Sequence, residues 1–250
     1  MIYSMISFFN DLRNGFDFFL RSHITFSRKN YSEGTGVNID CTDFSNYNLS
    51  LLKDLSERNV KENLYFLNIF DKYLTKKQDS DVSLLDLGSK NWNYVKSEYL
   101  FASSLSSKLH LDGIELDAFR LNNQFYSRFE IAKFYTKDLE NTNYIPGDFM
   151  EHKGCYDYII WILPFIKKYP LIKWGLPLKY FKPKEMLLHA YNCLKDGGEL
   201  LIINQGEEEY TIQQKLNREL GLDDVLYGEI PDVFNLFLNK RYCLKITKTS

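Results

Sequence analysis

Three short segments join an acid to a glycine, or to a glycine and an aromatic ring, in ways that could hold a polar ligand. The first is Leu85-Asp86-Leu87-Gly88-Ser89. Gly88 would let a ligand approach the backbone closely. Asp86 could accept hydrogen bonds from an ammonium group, and a helix starting after the turn offers free N–H groups and about half a positive charge. The second segment is Gly113-Ile114-Glu115-Leu116-Asp117. A carboxylate there can take both hydroxyls of a ribose, although Asp117 could equally cap the next helix. The third is Pro146-Gly147-Asp148-Phe149. Asp148 could accept from an adenine amino group. Phe149 could pack on the ring, a contact worth roughly 0.5–1.5 kcal/mol, or simply belong to the core.

These segments are informative because each closes a short apolar run that reads as a strand. The pattern predicts strands over Val82–Leu87, Leu111–Leu116, Thr142–Pro146, Tyr156–Leu163 and Leu200–Asn204, with further candidates at Val225–Ile230 and Tyr242–Thr247. Helices are expected between them: Tyr94–Leu109, Ala118–Leu139 with Leu121, Phe125, Phe129 and Ala132 on one face, Pro183–Leu194 ended by Gly197-Gly198, and Glu207–Leu220 capped by Gly221. Such alternation implies a doubly wound α/β sheet. Ligands bind these sheets beyond the carboxyl ends of the strands, where the strand order reverses, so acids and glycines at strand ends carry weight as an ordered set.

Residues 1–79 read as a helical extension or cap, and 80–250 as the α/β domain. In the extension, Phe8, Leu12, Phe16 and Phe19 recur at helical spacing. Asn30–Thr42 reads as a loop, Leu51 to Ile69 as a second helical stretch, and Lys76–Ser80 as a polar linker.

The 250 residues include 31 basic and 33 acidic side chains, for a formal charge of −2. That balance argues against nucleic-acid binding over the whole surface, but not against a local basic patch. Cys41, Cys155, Cys193 and Cys243 form no CxxC pair and no metal spacing with the four histidines, so free thiols in a cytoplasmic protein and no metal are expected. No apolar run reaches the roughly 18 residues of a membrane span, and the N-terminus has no basic leader, so no membrane partner is expected. The aromatic load is heavy, with 19 Phe, 18 Tyr and 3 Trp. Burial on helix faces, at Phe8, Phe16, Phe125 and Phe129, would account for much of it.

Over about residues 80–250 the sequence resembles the class I S-adenosylmethionine-dependent methyltransferases. The resemblance rests on LLDLGS (84–89), GIELD (113–117), PGDFMEH (146–152), YDYIIWILPF (156–165) and LKDGGELLI (194–202). It implies a Rossmann-like seven-stranded sheet whose last two strands form an antiparallel pair, and S-adenosyl-L-methionine as cofactor, with S-adenosyl-L-homocysteine as product. It places Asp86 and Gly88, with Ser89, at the methionine moiety. Glu115, or Asp117 in its stead, falls on the ribose, and Asp148 and Phe149 fall on the adenine. Trp161 completes the set. The sequence departs from the family at the glycine loop, where Lys90 and Trp92 occupy the second and third glycine places.

On the acceptor side, Leu163-Pro164-Phe165 ends the fourth strand, where the resemblance puts the methyl group. It lacks the polar residue that amino-methylating nucleic-acid enzymes carry there. A basic, aromatic segment follows at 166–182, with five lysines and no acid. Trp174 and Tyr180 within it could form a lid over an anionic or aromatic substrate, a lysine over a ring contributing roughly 0.5–2 kcal/mol, or the segment could be a packed, solvated loop. RNA would also suit such interleaving of basic residues and rings. Asn204, at the end of the fifth strand, could orient a substrate, and His152 could act as a base. No catalytic residue stands out. The reaction implied is in-line methyl transfer to a small molecule or a protein. A non-catalytic S-adenosylmethionine or nucleotide-binding module remains the alternative, and an NAD-dependent dehydrogenase is disfavoured by the missing GxGxxG.

Overall fold

The computed structural model describes residues 2–24, 31–33, 44–77 and 80–249, with side chains from Phe8 onward. Most of the loop expected over Asn30–Thr42, together with Cys41, Gln78 and Asp79, lies outside the described residues.

Seven strands form one sheet in the order β3-β2-β1-β4-β5-β7-β6. They are β1 Val82–Leu87, β2 Leu109–Glu115, β3 Thr142–Pro146, β4 Tyr156–Ile162, β5 Leu194–Gln205, β6 Asp224–Ile230 and β7 Arg241–Thr247. The first five run parallel, and β7 lies antiparallel between β5 and β6. Chain order reverses between β1 and β4, so the carboxyl ends of these strands flank the crevice that such sheets use for ligands.

Helices cover both faces. On one, α2 (Glu57–Tyr73), α3 (Val95–Leu105) and α4 (Arg128–Thr136) bury Leu64, Phe70, Phe101 and Ala132 against Leu84, Leu111 and Ile160. On the other, α6 (Pro183–Asn192) and α7 (Gly206–Glu219) bury Leu187 and Leu216 against Leu85, Ile159 and Ile202. Alternate residues of β1 thus serve opposite cores, as the two-residue side-chain period requires. Two helices lie toward the cleft: α1 (Ile2–His23) and the short α5 (Lys168–Lys173), which is followed by a 3-10 turn at Leu178–Tyr180. By contrast α2, from the same N-terminal region, shares its core with α3.

Several expected boundaries move. The long helix expected over Ala118–Leu139 is only α4. Ser127 starts it with a reciprocal capping box, accepting from the Glu130 amide while the Glu130 carboxylate accepts from the Ser127 amide. Before it, residues 118–127 fold back as a loop, with Leu121 bridged to Ser127 and Phe125 at φ +64°. Helix α3 stops at Leu105 rather than Leu109, because Leu109 already pairs with Val82 in the sheet. Gly197-Gly198 does not terminate a helix: α6 ends at Asn192, and both glycines lie inside β5. There the ladder slips between Tyr156 and Tyr158, and a Cβ on Gly198 would stand 2.8 Å from the Lys195 carbonyl oxygen. Nor does burial account for the helix-face aromatics as expected, since Phe8, Phe16 and Phe125 are 59–63 % exposed.

Candidate functional site

A cleft of about 930 Å³ opens at the carboxyl ends of β1 to β4, a size typical of ligand sites. At the end of β1 the backbone turns through Gly88 at φ +77°, where an added Cβ would meet nothing within 4 Å. The Gly88 and Ser89 amides donate to the Ile114 carbonyl at 2.9 and 3.2 Å, tying the loop to β2. Lys90 and Trp92 then hold φ +53° and +50°. Two bulky residues therefore keep the left-handed backbone that glycine adopts freely, at a cost of about 1–2 kcal/mol each. Trp92 is fully buried, and its indole nitrogen donates to Glu98 Oε2 at 2.8 Å. Its ring lies against β2 where a Cβ on Gly113 would come within 2.7 Å. The Tyr144 hydroxyl donates to the Lys90 carbonyl and fixes the loop from β3. The residues at the glycine places thus adopt a backbone open to glycine while bringing bulky side chains to the loop.

Asp86 is fully buried behind this turn, and neither carboxylate oxygen has a hydrogen-bond partner among the described residues. Burial pushes its carboxyl up, to about 8, with the charge of Glu115 adding to the rise and the nearby Tyr94 hydroxyl and Lys90 opposing it. The buried Ser89 hydroxyl is equally unpartnered. Burial, followed by the charge of Asp86, likewise raises Glu98.

Glu115 ends β2 on the cleft wall. Its Oε1 accepts from Arg128 Nη1 at 2.7 Å and from the Asp117 amide at 2.9 Å, while Oε2 accepts from the Lys90 amide at 2.9 Å. Asp117, 2 % exposed, is committed differently: Arg21 of α1 donates to it at 2.5 and 3.0 Å, and Arg120 lies at 3.4 Å. Asp148 accepts from the Met150 amide at 3.0 Å and starts a short 3-10 turn. Phe149 packs on His189, with centroids 4.7 Å apart, and shows one side to the cleft.

Gly88, Glu115, Asp117, Asp148, Phe149, Trp161, Leu163, Pro164, Phe165, Trp174 and Tyr180 are brought together on this one wall. Asp86 and Ser89 stand behind it. Asn204 does not join it: that side chain is fully buried, and both amide atoms lack partners among the described residues. His152 is also off the wall, bonded to the Tyr156 hydroxyl at 2.8 Å. Burial lowers its basicity. Among the described residues no His/Cys/Asp/Glu group could hold a metal ion.

The sequence reading named Lys90 in the loop but missed Arg120 and Arg128. Lys90, Arg120 and Arg128 surround the Trp174 indole at 5.0, 5.8 and 5.3 Å from its centroid. Arg120 also donates to the Trp174 carbonyl. Burial, then the charge of Arg128, lowers the basicity of Lys90. Ser127-x-x-Glu130 was the available signal, since a capping box splits the stretch and sets Arg128 in a first turn. Leu163, a non-glycine residue at φ +57°, is a second strained position on the wall.

The strand order and the antiparallel seventh strand give the chain the fold of the class I S-adenosylmethionine-dependent methyltransferases. Among solved structures, the chain is similar to a Listeria monocytogenes protein assigned to that class (15 % identity, TM-score 0.51, 81 % of this chain and 66 % of that one). It is similar also to a S-adenosylmethionine-dependent methyltransferase of Aquifex aeolicus (13 %, 0.50, 75 % and 90 %) and to a Methanococcus maripaludis protein assigned the same activity (14 %, 0.50, 77 % and 85 %). No family model and no curated sequence matches the chain.

The residues present suit that cofactor. Orphaned acid and hydroxyl oxygens lie behind the first turn, open space lies above Gly88 and Gly147, and an acid and an aromatic ring follow β3.

Proposed function

We propose that the chain is a S-adenosylmethionine-dependent methyltransferase acting on a small molecule or a protein. The observation that carries this reading is the buried carboxyl of Asp86, which has no hydrogen-bond partner among the described residues, beside the open Gly88 turn, a place suited to a cationic amino-acid end. Glu115 is the group for the ribose hydroxyls, Asp148 for the adenine amino group, and Phe149 and Trp161 supply apolar wall. The fold similarity and the left-handed backbone at Gly88, Lys90 and Trp92 support the assignment.

When bound, the cofactor supplies an electrophilic methyl group on a sulfonium. The chain's own work is to orient the acceptor and exclude water. Leu163, Pro164 and Phe165 form the strand-four end of the wall, and Trp174 and Tyr180 close the side formed by the 166–182 segment. Such positioning can contribute roughly 7–11 kcal/mol. No dedicated base is required when the acceptor is itself a nucleophile.

Thermal denaturation with S-adenosylmethionine, S-adenosylhomocysteine and NAD tests the reading. Ligand at a hundred times its Kd stabilises by about 2.7 kcal/mol, which raises the midpoint by roughly 5–10 °C for a chain of this size. Stabilisation by NAD alone would overturn the proposal. Full-strength binding by the Asp86→Ala, Glu115→Ala double variant would overturn the site. Labelled methyl transfer into a cell extract, followed by mass spectrometry, then identifies the acceptor. Binding without transfer to any fraction would favour a non-catalytic module.

A further inference from the structure

Helix α1 is turned inside out. Its polar side packs on the protein: Asn14 Nδ2 donates to the Ile172 and Leu176 carbonyls at 3.0 and 3.3 Å, Asp11 accepts from the Leu178 amide at 2.6 Å, and Arg21 bonds Asp117 and the Gly175 carbonyl. Its apolar side faces outward. Phe8, Phe9, Leu12, Phe16 and Phe19 are each 55–63 % exposed. Phe8, Leu12, Phe16 and Phe19 fall in one row about 16 Å long at helical rise. Contiguous exposed apolar surface of this kind marks an interaction site.

The ground beside the row is basic. A groove runs between α1 and the 3-10 turn, lined by Leu12, Phe16, Phe19, Pro177, Lys179 and Tyr180. Lys168, Lys173 and Lys179 are exposed and make no ion pair among the described residues. Tyr169, 71 % exposed, stands among them, and Asp17 is the exposed acid on α1. We infer that α1 and the 168–180 segment together seat the protein on an anionic lipid bilayer, the aromatic row entering the headgroup boundary and the lysines meeting lipid phosphates. Amphipathic helices with aromatic faces bind bilayers this way, lying in the plane of the interface, and lysines near such a surface add electrostatic attraction. No described helix is long and apolar enough to cross a membrane, so the association is peripheral.

Charge decides against a second copy as the occupant. A two-fold dimer brings the same patch against itself, which would oppose one lysine segment to another. An anionic bilayer neutralises it. Tyr180 lines both this groove and the cleft, so a bilayer seated here would face the cleft's mouth. The surface stands on the geometry of α1 and does not depend on what the cleft binds.

Vesicle flotation of the full chain tests the inference, using phosphatidylcholine alone and phosphatidylcholine mixed with phosphatidylserine. The wild type is expected to float with the mixed vesicles and to be released by salt. A Phe8→Ser, Phe16→Ser, Phe19→Ser variant should lose flotation. A Lys168→Glu, Lys173→Glu, Lys179→Glu variant should bind mixed vesicles about tenfold more weakly or worse. All these side chains are exposed, so unchanged circular dichroism and thermal midpoint show that the variants fold. Flotation of the aromatic variant at wild-type strength overturns the proposal. So does a wild type that ignores both vesicles, whether it is monomeric or forms a dimer by light scattering that the aromatic variant breaks.

Discussion

Asp86 ties the site's chemistry to pH in a way that can be measured. Ligand-free, its carboxyl sits at about 8, chiefly through burial, so near pH 6 it holds a proton. A cationic ligand group beside it favours the ionised form. Binding must then release that proton, and affinity should rise with pH, approaching tenfold per unit below the pKa, or about 1.4 kcal/mol. Between pH 5.5 and 7.5 this amounts to nearly a hundredfold for S-adenosylmethionine. Titration calorimetry in two buffers of different ionisation heat reads both the affinity and the proton released. Asp86→Asn, which mimics the neutral form, should lower affinity at pH 7.5 by about 1.5–3 kcal/mol and flatten the profile. Stability should move the opposite way. A folded pKa raised above the unfolded value stabilises fully below the unfolded pKa, and that contribution is lost as pH rises through about 8. The ligand-free Asn variant should therefore lose less stability than the wild type between pH 7 and 9. A flat affinity profile in the wild type, or a profile that survives Asp86→Asn, would refute the reasoning.

Gly113→Ala should destabilise by about 1–3 kcal/mol in urea denaturation, because its Cβ would stand 2.7 Å from the Trp92 ring. In a Trp92→Leu background the cost should shrink, and strict additivity would show that the two do not touch in solution. Lys90→Gly relieves left-handed strain of about 1–2 kcal/mol but adds unfolded-chain freedom worth about 0.4–1 kcal/mol, so a small net gain in stability is expected. A clear loss would mean that the Lys90 side chain stabilises the loop through its contact with Trp174. Arg21→Ala should cost about 1.5–3 kcal/mol, since it removes two charge-assisted hydrogen bonds to a buried carboxylate. Limited proteolysis should then cut α1 sooner, and an unchanged cleavage rate would separate α1 from the cleft.

The parallel sheet was legible because β1, β2 and β3 are short apolar runs closed by an acid or a glycine, and Gly88, Glu115 and Asp148 among those closing residues line the cleft. Asp86, Glu115 and Asp148 could therefore be placed before any contact was known. Arg21 and Arg128 could not. Arg21 reaches Asp117 across 96 residues of sequence, and no local pattern encodes that pairing. Arg128 was hidden by the apparent periodicity of 118–139, where Leu121, Phe125 and Phe129 mimic a helical face across a loop. The orientation of α1 was illegible for a different reason. Periodicity reveals that a helix has an apolar side, while the direction that side faces depends on whether the polar side finds partners. Here Asn14 and Asp11 find backbone groups of the 168–178 segment, and these bonds hold the helix with its phenylalanines outward.

The same bonds make the cleft a joint property of distant segments. Both oxygens of Glu115 are engaged, but unequally: Oε1 carries Arg128 and the Asp117 amide, Oε2 only the Lys90 amide. A ribose could share Oε2 without disturbing the wall, whereas a ligand using Oε1 must compete with Arg128. Arg128 also faces Trp174, whose carbonyl is held by Arg120, whose other partner, Asp117, is held by Arg21. Any ligand that moves Arg128 therefore pulls on a chain of contacts that runs through the 166–182 segment to α1. If bilayer binding at α1 alters ligand affinity in the cleft through Asp117, the ligand must alter bilayer affinity by the same factor.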